Sequence, residues 1–357
     1  MIYQPDSFDF YGSSSTGRAN MLLGDRWASI DSNLRPQTTN PHTGTHSLSV
    51  DGFTTNGARK VWPSALTTKN GIMFNFNCAA LPILSNSFVL WQVYDFAMAQ
   101  QLNFILQPTG AIEVKRGTAA GGTRVAISAN NVVVPGNYPR IQLACKIHGS
   151  TGLVQGEVNG VSIFNNTGIN TASSANIETS QFAILISPTG VSVGNTYLDN
   201  LVPWYDDGGD NSDMLAEKVC HTFYMNADTA DTDWIRNTGA SDYEAIDDTT
   251  PDDISGTGTY IETSTATDES AFGIPLVPVD DILAVSIPYL TKKVGSSVCK
   301  LQAALKGTLG TNGAENSIDT NYGYKTDTFQ RDPDAAGTPG ITAAGLDLLR
   351  WSITRTV

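Results

Sequence analysis

Four aspartates stand close together at Asp206, Asp207, Asp210 and Asp213, in the stretch DDGGDNSD. Ca²⁺ binds roughly six to eight oxygen ligands in a flexible geometry, which acidic glycine-rich loops can supply. The spacing differs from that of the EF-hand loop, however. A solvated linker is therefore the alternative to a calcium site here, and the sequence predicts no other cofactor.

Carboxylates paired for glycoside hydrolysis do not occur in the strand-like stretches. Retaining glycosidases hold two carboxyl groups about 5 Å apart. Glu113 stands alone in AIEVK and Glu157 stands alone in GEVNG, while His42 and His46 belong to the loop-like PHTGTH. Neither a nucleophile elbow nor a phosphate-binding loop is present. We therefore expect that the protein is not an enzyme, and we keep a glycan hydrolase as a remote alternative.

Aromatic side chains could bind a glycan by stacking on its sugar rings. The candidates are Trp62, Trp204 and Tyr205, together with Trp91 and Tyr94. In the stretch KVWP, Trp62 comes shortly after a cation, Lys60, and directly before a proline, so we expect Trp62 at the surface. Trp91 and Tyr94 share the strand-like SFVLWQVYD, in which at least one of the two rings must face the core.

The elements that would position these residues are mostly strands. Only 16% of the 357 residues are charged and 33 are glycine, which favours sheets joined by turns. Many short alternating stretches are bounded by turns, and Asn159-Gly160 lies between β-formers, as in a tight hairpin. This pattern predicts an all-β protein built from sandwiches.

A step in charge divides the chain. Residues 1–205 contain 11 Lys and Arg against 10 Asp and Glu, whereas residues 206–357 contain 10 against 25. We predict a domain at 1–205, an acidic Gly/Asp linker at 206–214 and a second, acidic domain at 215–357. Because phosphate contacts need Lys and Arg, no nucleic acid is expected as a partner of the acidic half.

Neither a membrane span nor a signal peptide is expected. The sequence contains no apolar run long enough to cross a bilayer, and MIYQPDSFDF has no basic or apolar leader region. The four cysteines, Cys78, Cys145, Cys220 and Cys299, lack zinc-site spacing, so we expect buried free thiols.

Several motifs, in their order and spacing, resemble known proteins. DSFDFY (6–11), GTHSLSV (44–50), VNG (158–160) and YLDNLV (197–202) resemble the concanavalin A-like, or laminin-G-type, jelly-roll domain. The second half is similar to a domain that follows such jelly rolls in structural proteins of tailed bacteriophages. Its carrying motifs are WIRNTG (234–239), YEAIDD (243–248), the stretch 251–261 and DPDAAGTPGIT (332–342).

The resemblance implies an N-terminal jelly-roll sandwich followed by a smaller β-sandwich. It also implies a component of a phage particle, in the tail or an appendage, that works through protein–protein interfaces. Such a protein would be made in the bacterial cytoplasm and released within the virion. A receptor- or glycan-binding appendage module and a capsid decoration or head-fibre protein are alternatives. The expected partners are other virion proteins, copies of the same chain, with a trimer favoured, and a host surface glycan.

Overall fold

The computed structural model describes most of the first half of the chain and part of the second. The described residues are 2–11, 18–19, 21–22, 27–50, 54–85, 88–187, 195–206, 214–215, 227–237, 241, 260–273, 284–306, 311–312, 315–321, 323–330 and 350–355. They form two compact units, one spanning Met1–Leu22 and Trp27–His221, the other Leu23–Arg26 and Thr222–Val357.

The first unit contains two antiparallel sheets of seven strands each. The first sheet has the order β1-β4-β13-β6-β7-β8-β9. Its strands are β1 (Ser29–Ile30), β4 (Ala58–Leu66), β6 (Phe88–Tyr94), β7 (Gln100–Leu106), β8 (Ile112–Arg116), β9 (Thr123–Ile127) and β13 (Thr179–Ile186).

The second sheet of this unit has the order β12-β11-β10-β5-β14-β3-β2. Its strands are β2 (Leu34–Gln37), β3 (Ser47–Val50), β5 (Asn70–Cys78), β10 (Arg140–Lys146), β11 (Gly152–Val158), β12 (Val161–Ile169) and β14 (Thr196–Tyr205). The N-terminal segment extends this sheet, because Ile2 and Asp6 form antiparallel bridges to Trp204 and Leu201 of β14.

Aromatic side chains fill the space between the two sheets. Phe76 of the second sheet packs against Phe88 of the first, with 6.0 Å between ring centroids. Along β4 and β13, Trp62 packs against Phe182 at 4.9 Å. Because the sheets face each other and join sequence-distant strands, the first unit is a jelly-roll sandwich.

The Asn159-Gly160 turn closes the hairpin between β11 and β12. Both residues have positive φ, 52° and 77°, as the type I′ turn requires. The side chain of Asn159 accepts a hydrogen bond from the backbone N–H of Arg140 at 2.9 Å, which ties the turn to β10. The hairpin predicted from the sequence is confirmed, and its role is structural.

The second unit is also built from antiparallel strands. Its largest sheet has the order β15-β18-β24-β20-β21, with β22 also paired to β20, and the pairs β16–β17 and β19–β23 are separate. The strands are β15 (Ala227–Thr232), β16 (Ile235–Arg236), β17 (Ile261–Glu262), β18 (Glu269–Gly273), β19 (Ala284–Thr291), β20 (Lys300–Lys306), β21 (Thr311–Asn312), β22 (Asn316–Ser317), β23 (Gly323–Gln330) and β24 (Arg350–Arg355).

A buried carboxylate joins two of these sheets. Asp327 of β23 accepts hydrogen bonds from the Tyr289 hydroxyl at 3.1 Å and from the backbone N–H of Ala303 in β20 at 3.3 Å. The pair β19–β23 thus packs on the larger sheet. The predicted fold class, a jelly-roll sandwich followed by a smaller β-sandwich, is confirmed.

The predicted linker falls almost wholly outside the described residues, as do the motifs at 243–248 and 332–342. The division into compact units is placed after His221, and the linker at 206–214 stays a prediction. In the parts of the chain that the structure covers, none of the helical segments has the length and apolarity to cross a membrane.

Two of the four cysteines behave as predicted. Cys78 and Cys145 are buried free thiols, and burial raises the pKa of both, that of Cys78 to about 11. Both therefore remain protonated at neutral pH and pack as small apolar groups. Cys299 is a free thiol of intermediate burial, and Cys220 lies outside the described residues.

Candidate functional site

The tryptophans predicted as glycan ligands are core residues. Trp62 is only 3% exposed, so the expectation that it lies at the surface is wrong. Alternation along β4 turns its indole inward, where it contacts Phe182 and Tyr3. Trp204 is fully buried and covers Gly71, its partner in the neighbouring strand. Neither indole offers a free face to a sugar ring in this structure.

Tyr205, the third predicted aromatic ligand, is half-buried at the end of β14. Its ring meets Trp62 edge-on, with 6.0 Å between centroids. Tyr205 therefore closes the end of the aromatic core, and a role in glycan binding stays a prediction.

The predicted calcium ligands are largely outside the described residues. Asp207, Asp210 and Asp213 lie outside the described residues, so a calcium site formed by them stays a prediction. Asp206 is described, and its backbone N–H donates to the carbonyl of Lys69 at 2.7 Å. Within the described ranges, no group of three or more His, Cys, Asp or Glu side chains is arranged to hold a metal ion.

The carboxylate of Glu113 is held by hydrogen bonds from two neighbouring side chains. It accepts from Arg124 Nε at 2.5 Å and from Gln107 Nε2 at 2.7 Å. The side chain is buried and both of its oxygens are occupied. Glu113 therefore ties β8 to β9 and to the end of β7, which leaves it poorly placed to act as a general acid or base.

The histidine loop PHTGTH wraps two buried carboxylates. The backbone N–H groups of His42 and Thr43 donate to Asp199 at 2.8 and 2.9 Å. Those of Thr45 and His46 donate to Asp9 at 2.6 and 2.8 Å. The loop is thus fixed through its backbone to the N-terminal segment and to β14.

Burial is the main cause of the pKa shifts of Asp199 and His46 at this loop. It raises the pKa of Asp199 to about 7, although the N–H donors of Thr43, Asn200 and His42 oppose the shift. Burial also lowers the pKa of His46, and the charge of Asp9 partly offsets that shift. His46 is therefore predominantly neutral at physiological pH.

The outer face of the first sheet carries a row of side chains in register across all seven strands. Directly paired residues share a face of an antiparallel sheet. The row consists of Ser29, Arg59, Ala183, Gln92, Asn103, Lys115 and Arg124. Cations stand towards both ends of this row, and small or amide side chains stand in the middle.

A second row on the same face is more exposed. Val61, Gln181, Tyr94 and Gln100 pair in register across β4, β13, β6 and β7. Val61 is 44% exposed and the other three are half-buried. We call these four residues, with Arg59, the outer patch. It combines an aromatic ring, two amides, an apolar side chain and a cation, which together suit a polyhydroxylated ligand.

A buried hydrogen-bond chain holds Tyr94 in the outer patch. The Tyr94 hydroxyl donates to the side-chain oxygen Oε1 of Gln92, and Nε2 of Gln92 donates to Oδ1 of Asn103. Asn103 in turn donates to the carbonyl of Gly117, so the chain ends on the β8–β9 connection. Burial raises the pKa of Tyr94, while the positive charge of Arg59 lowers it less strongly. The phenol therefore stays neutral at physiological pH.

A cluster of buried apolar side chains lies beside the outer patch. Val89, Ile105, Ala183 and Ile186 form a buried cluster, and Tyr94 packs against it. Val89 reaches this outer face through a register shift in β6, between Val89 and Trp91. Ile186 follows Leu185, whose φ is positive at 56°. These two irregularities place apolar side chains where strict alternation would place them in the core.

The tight turn between β6 and β7 borders the outer patch. Asp95 anchors it by accepting from the backbone N–H of Ala99 at 2.8 Å and from Gln101, Ser174 and Asn176 at 2.9 to 3.0 Å. Burial alone would raise the pKa of Asp95, but these hydrogen bonds outweigh it and hold the pKa below its usual range. The turn presents Phe96 and Met98 at the surface.

No protein-family model matches the sequence, and no curated protein matches it. Several solved structures are similar to part of the chain. An endo-β-1,4-glucuronan lyase from the fungus Trichoderma reesei is 12% identical, with a TM-score of 0.39, over 51% of this chain and 92% of that one. An alginate lyase, vAL-1 from Chlorella virus, is 11% identical, with a TM-score of 0.39, over 54% and 98%.

A carbohydrate-binding module, CBM66 from Bacillus subtilis, is 5% identical, with a TM-score of 0.30, over 50% of this chain and 94% of that one. Each likeness spans about half of the chain.

Sequence reasoning named one residue of the outer patch and missed the rest. Of the pair Trp91 and Tyr94, the first is buried against Phe104 at 4.7 Å and the second is half-exposed, so the prediction that at least one faces the core is confirmed. Arg59 and Gln181 carry no local signal, because they become neighbours only through long-range strand pairing.

Proposed function

We propose that the protein is a non-catalytic glycan-binding module of a tailed-bacteriophage particle, and that the outer patch is its binding face. The observation that supports glycan binding is the partly exposed in-register row Val61, Gln181, Tyr94 and Gln100. A sugar ring has an apolar face that suits Tyr94 and Val61, and hydroxyl groups that suit the two amides.

The setting of the outer patch favours binding over a purely structural role. Buried networks centred on Gln92 and Asp95 fix the patch from below and from one side. Side chains held in this way lose little conformational freedom when a ligand binds. Because the patch is a surface of strands, an extended chain of sugars can lie along it.

Binding by titration calorimetry tests this proposal. Host surface polysaccharides, first screened on an array, serve as ligands for the wild type and for Tyr94→Leu and Gln181→Ala variants. We expect each variant to weaken binding about tenfold, which corresponds to about 1.4 kcal/mol. Val161→Ala is the control, since Val161 is an exposed valine on the other sheet of the same unit. Unchanged affinity in both patch variants would refute the assignment of the outer patch.

The absence of turnover is part of the proposal. Glu113 is engaged by Arg124 and Gln107, and the sequence contains no paired-carboxylate strand. We therefore expect no release of reducing ends from any polysaccharide that binds. Release above the buffer control would show instead that the module is catalytic.

The phage setting rests on the sequence motifs that resemble virion proteins. We propose other virion proteins as partners, and a homo-trimer as the assembly, because phage particles repeat their parts around closed symmetry axes. Light scattering on purified protein should give the mass of three chains. A monomer at high concentration, and isolated copies on the particle, would contradict the assembly while leaving glycan binding intact.

A further inference from the structure

Among the residues that the structure describes, Arg59 has no carboxylate partner. Its side chain is half-buried, and Nη1 of its guanidinium contacts the thioether sulfur of Met98 at 3.9 Å. Sulfur is a weak acceptor. The Nε atom is buried and makes no hydrogen bond to any residue in the described ranges. Since a buried donor without an acceptor destabilises a folded protein, this arginine is poorly satisfied in the folded protein alone.

Arg124, at the far end of the same row, provides the contrast. Its Nε donates to Glu113 at 2.5 Å, although its side chain is 60% exposed. The fold thus neutralises the more solvated of the two arginines and leaves the more buried one unpaired. Solubility alone does not explain that choice, because a charge is better hydrated at an exposed position.

Ser29 adds a second unsatisfied polar group. It pairs directly with Arg59 across β1 and β4, so both side chains leave the sheet on the outer face. The hydroxyl oxygen of Ser29 is buried and has no hydrogen-bond partner in the part of the chain that the structure covers. A guanidinium and a hydroxyl on adjacent strands can donate together to one oxyanion.

We infer that Arg59 and Ser29 form a subsite for the carboxylate of an acidic sugar, so that the glycan bound by the outer patch contains uronic or similar acidic residues. This inference rests on the proposed function. The planar fork of a guanidinium matches the two oxygens of a carboxylate. Tyr94 and Gln181, next to Arg59 in the outer patch, would hold the ring that bears the acid.

The inference has a matched pair of probes. Oligosaccharides of uronic acids are compared with the same oligosaccharides after their carboxyl groups have been reduced to primary alcohols. We expect the wild type to bind the acidic form at least about tenfold more tightly, with an affinity that falls as salt rises. A sulfated neutral oligosaccharide tests whether any anion suffices, and binding as tight as that of the uronic acids would overturn the carboxylate assignment.

Substitutions then show which arginine is responsible for the preference for the acidic form. Arg59→Gln should abolish the preference for the acidic form, because it lowers the affinity for that form far more than the affinity for the reduced form. Arg59→Lys should keep part of the preference, because it retains the charge and loses the fork. Arg124→Gln is the control, with the same change of charge about 24 Å away across five strand intervals. We expect it to keep the preference.

The outcomes separate the two proposals. Equal affinity of the wild type for the acidic and reduced forms, or a preference that survives Arg59→Gln, overturns the carboxylate subsite alone. Failure of the wild type to bind any oligosaccharide overturns glycan binding by the outer patch and the subsite with it. Circular dichroism and the unfolding temperature of each variant confirm that it is folded before binding is compared.

Discussion

Asp6 and Lys60 place their charged groups 3.9 Å apart, and neither side chain has exposed surface. The carboxylate also accepts from the Tyr11 hydroxyl at 2.8 Å and from Trp27 Nε1 at 3.0 Å. The ammonium group donates to the carbonyl of Gln4 at 3.0 Å and lies 4.6 Å from the centroid of a Trp27 ring. The pair thus connects the N-terminal segment to β4.

Removing one charge of this pair should be costly. Lys60→Met leaves the Asp6 carboxylate buried without its cation, so we expect a loss of about 3–5 kcal/mol in the free energy of unfolding. Urea titration measures it. Lys300→Met is the control, because its ion pair with Glu315 at 3.0 Å is partly exposed and should contribute at most about 1 kcal/mol. Equal losses in the two variants would contradict the importance of burial.

The sheets of the first unit are predictable from the sequence, whereas the faces of some strands are not. Alternating side chains and the Asn159-Gly160 turn give the hairpins directly. The register shift in β6 and the positive φ of Leu185 change which side chains point outward, however. These irregularities depend on neighbouring strands, and they help to build the outer patch.

Single residues in β4 mislead sequence reasoning for a similar reason. A lysine is rarely buried, yet Lys60 is buried because Asp6 arrives from the N-terminal segment. The same alternation turns Trp62 inward. Both outcomes follow from tertiary contacts, which the stretch KVWP alone does not contain.

The raised pKa of Asp199 predicts a pH effect on stability. Its pKa rises from 3.8 to about 7 in the folded state, so the folded protein binds this proton more tightly than the unfolded chain. The stability from this group is present at acidic pH and lost as pH rises through about 7. His46, whose pKa is lowered by burial, contributes the opposite slope just below its usual pKa of 6.5.

Thermal unfolding of the wild type and Asp199→Asn between pH 5 and pH 8 separates these contributions. The slope from His46 is common to both proteins and cancels in the difference. We expect the wild type to lose stability relative to the variant as pH rises. A difference that stays constant over this range would show that Asp199 does not titrate there.

Gly71 allows β5 to pass close to Trp204. A Cβ added at this glycine would lie 2.5 Å from the carbonyl oxygen of Leu143 and 2.7 Å from the indole. We expect Gly71→Ala to destabilise the first unit by about 1–3 kcal/mol through overpacking. Gly149→Ala is the control, since nothing lies within 4 Å of the added atom and its φ is not positive. Chemical denaturation compares the two.

The predicted linker at 206–214 can be tested by proteolysis. Its aspartates make it a substrate for an endoproteinase that cleaves before aspartate. A short digestion should give two resistant fragments, with the cut mapped by mass spectrometry to this stretch, because exposed linkers are cut before folded domains. Resistance of the whole chain, or first cuts elsewhere, would contradict the boundary.

Asp95 connects the stability of the first unit to the outer patch. Asp95→Asn replaces one acceptor oxygen by an amide that faces existing donors among Ala99, Gln101, Ser174 and Asn176. We expect a loss of about 1–3 kcal/mol in the free energy of unfolding. Because the pKa of Asp95 lies below 3.8 in the folded state, its stabilisation is present above that pH and lost under more acidic conditions.

The same variant should also weaken binding. The turn that Asp95 holds carries Met98, whose sulfur contacts Arg59. A looser turn would leave the guanidinium less fixed, so affinity for acidic oligosaccharides should fall by less than in Arg59→Gln, while affinity for their reduced forms should hardly change. Glu157→Gln, which removes an acid from the other sheet, is the control. If Asp95→Asn lost stability and kept the full preference for the acidic form, the turn would support the fold without positioning Arg59.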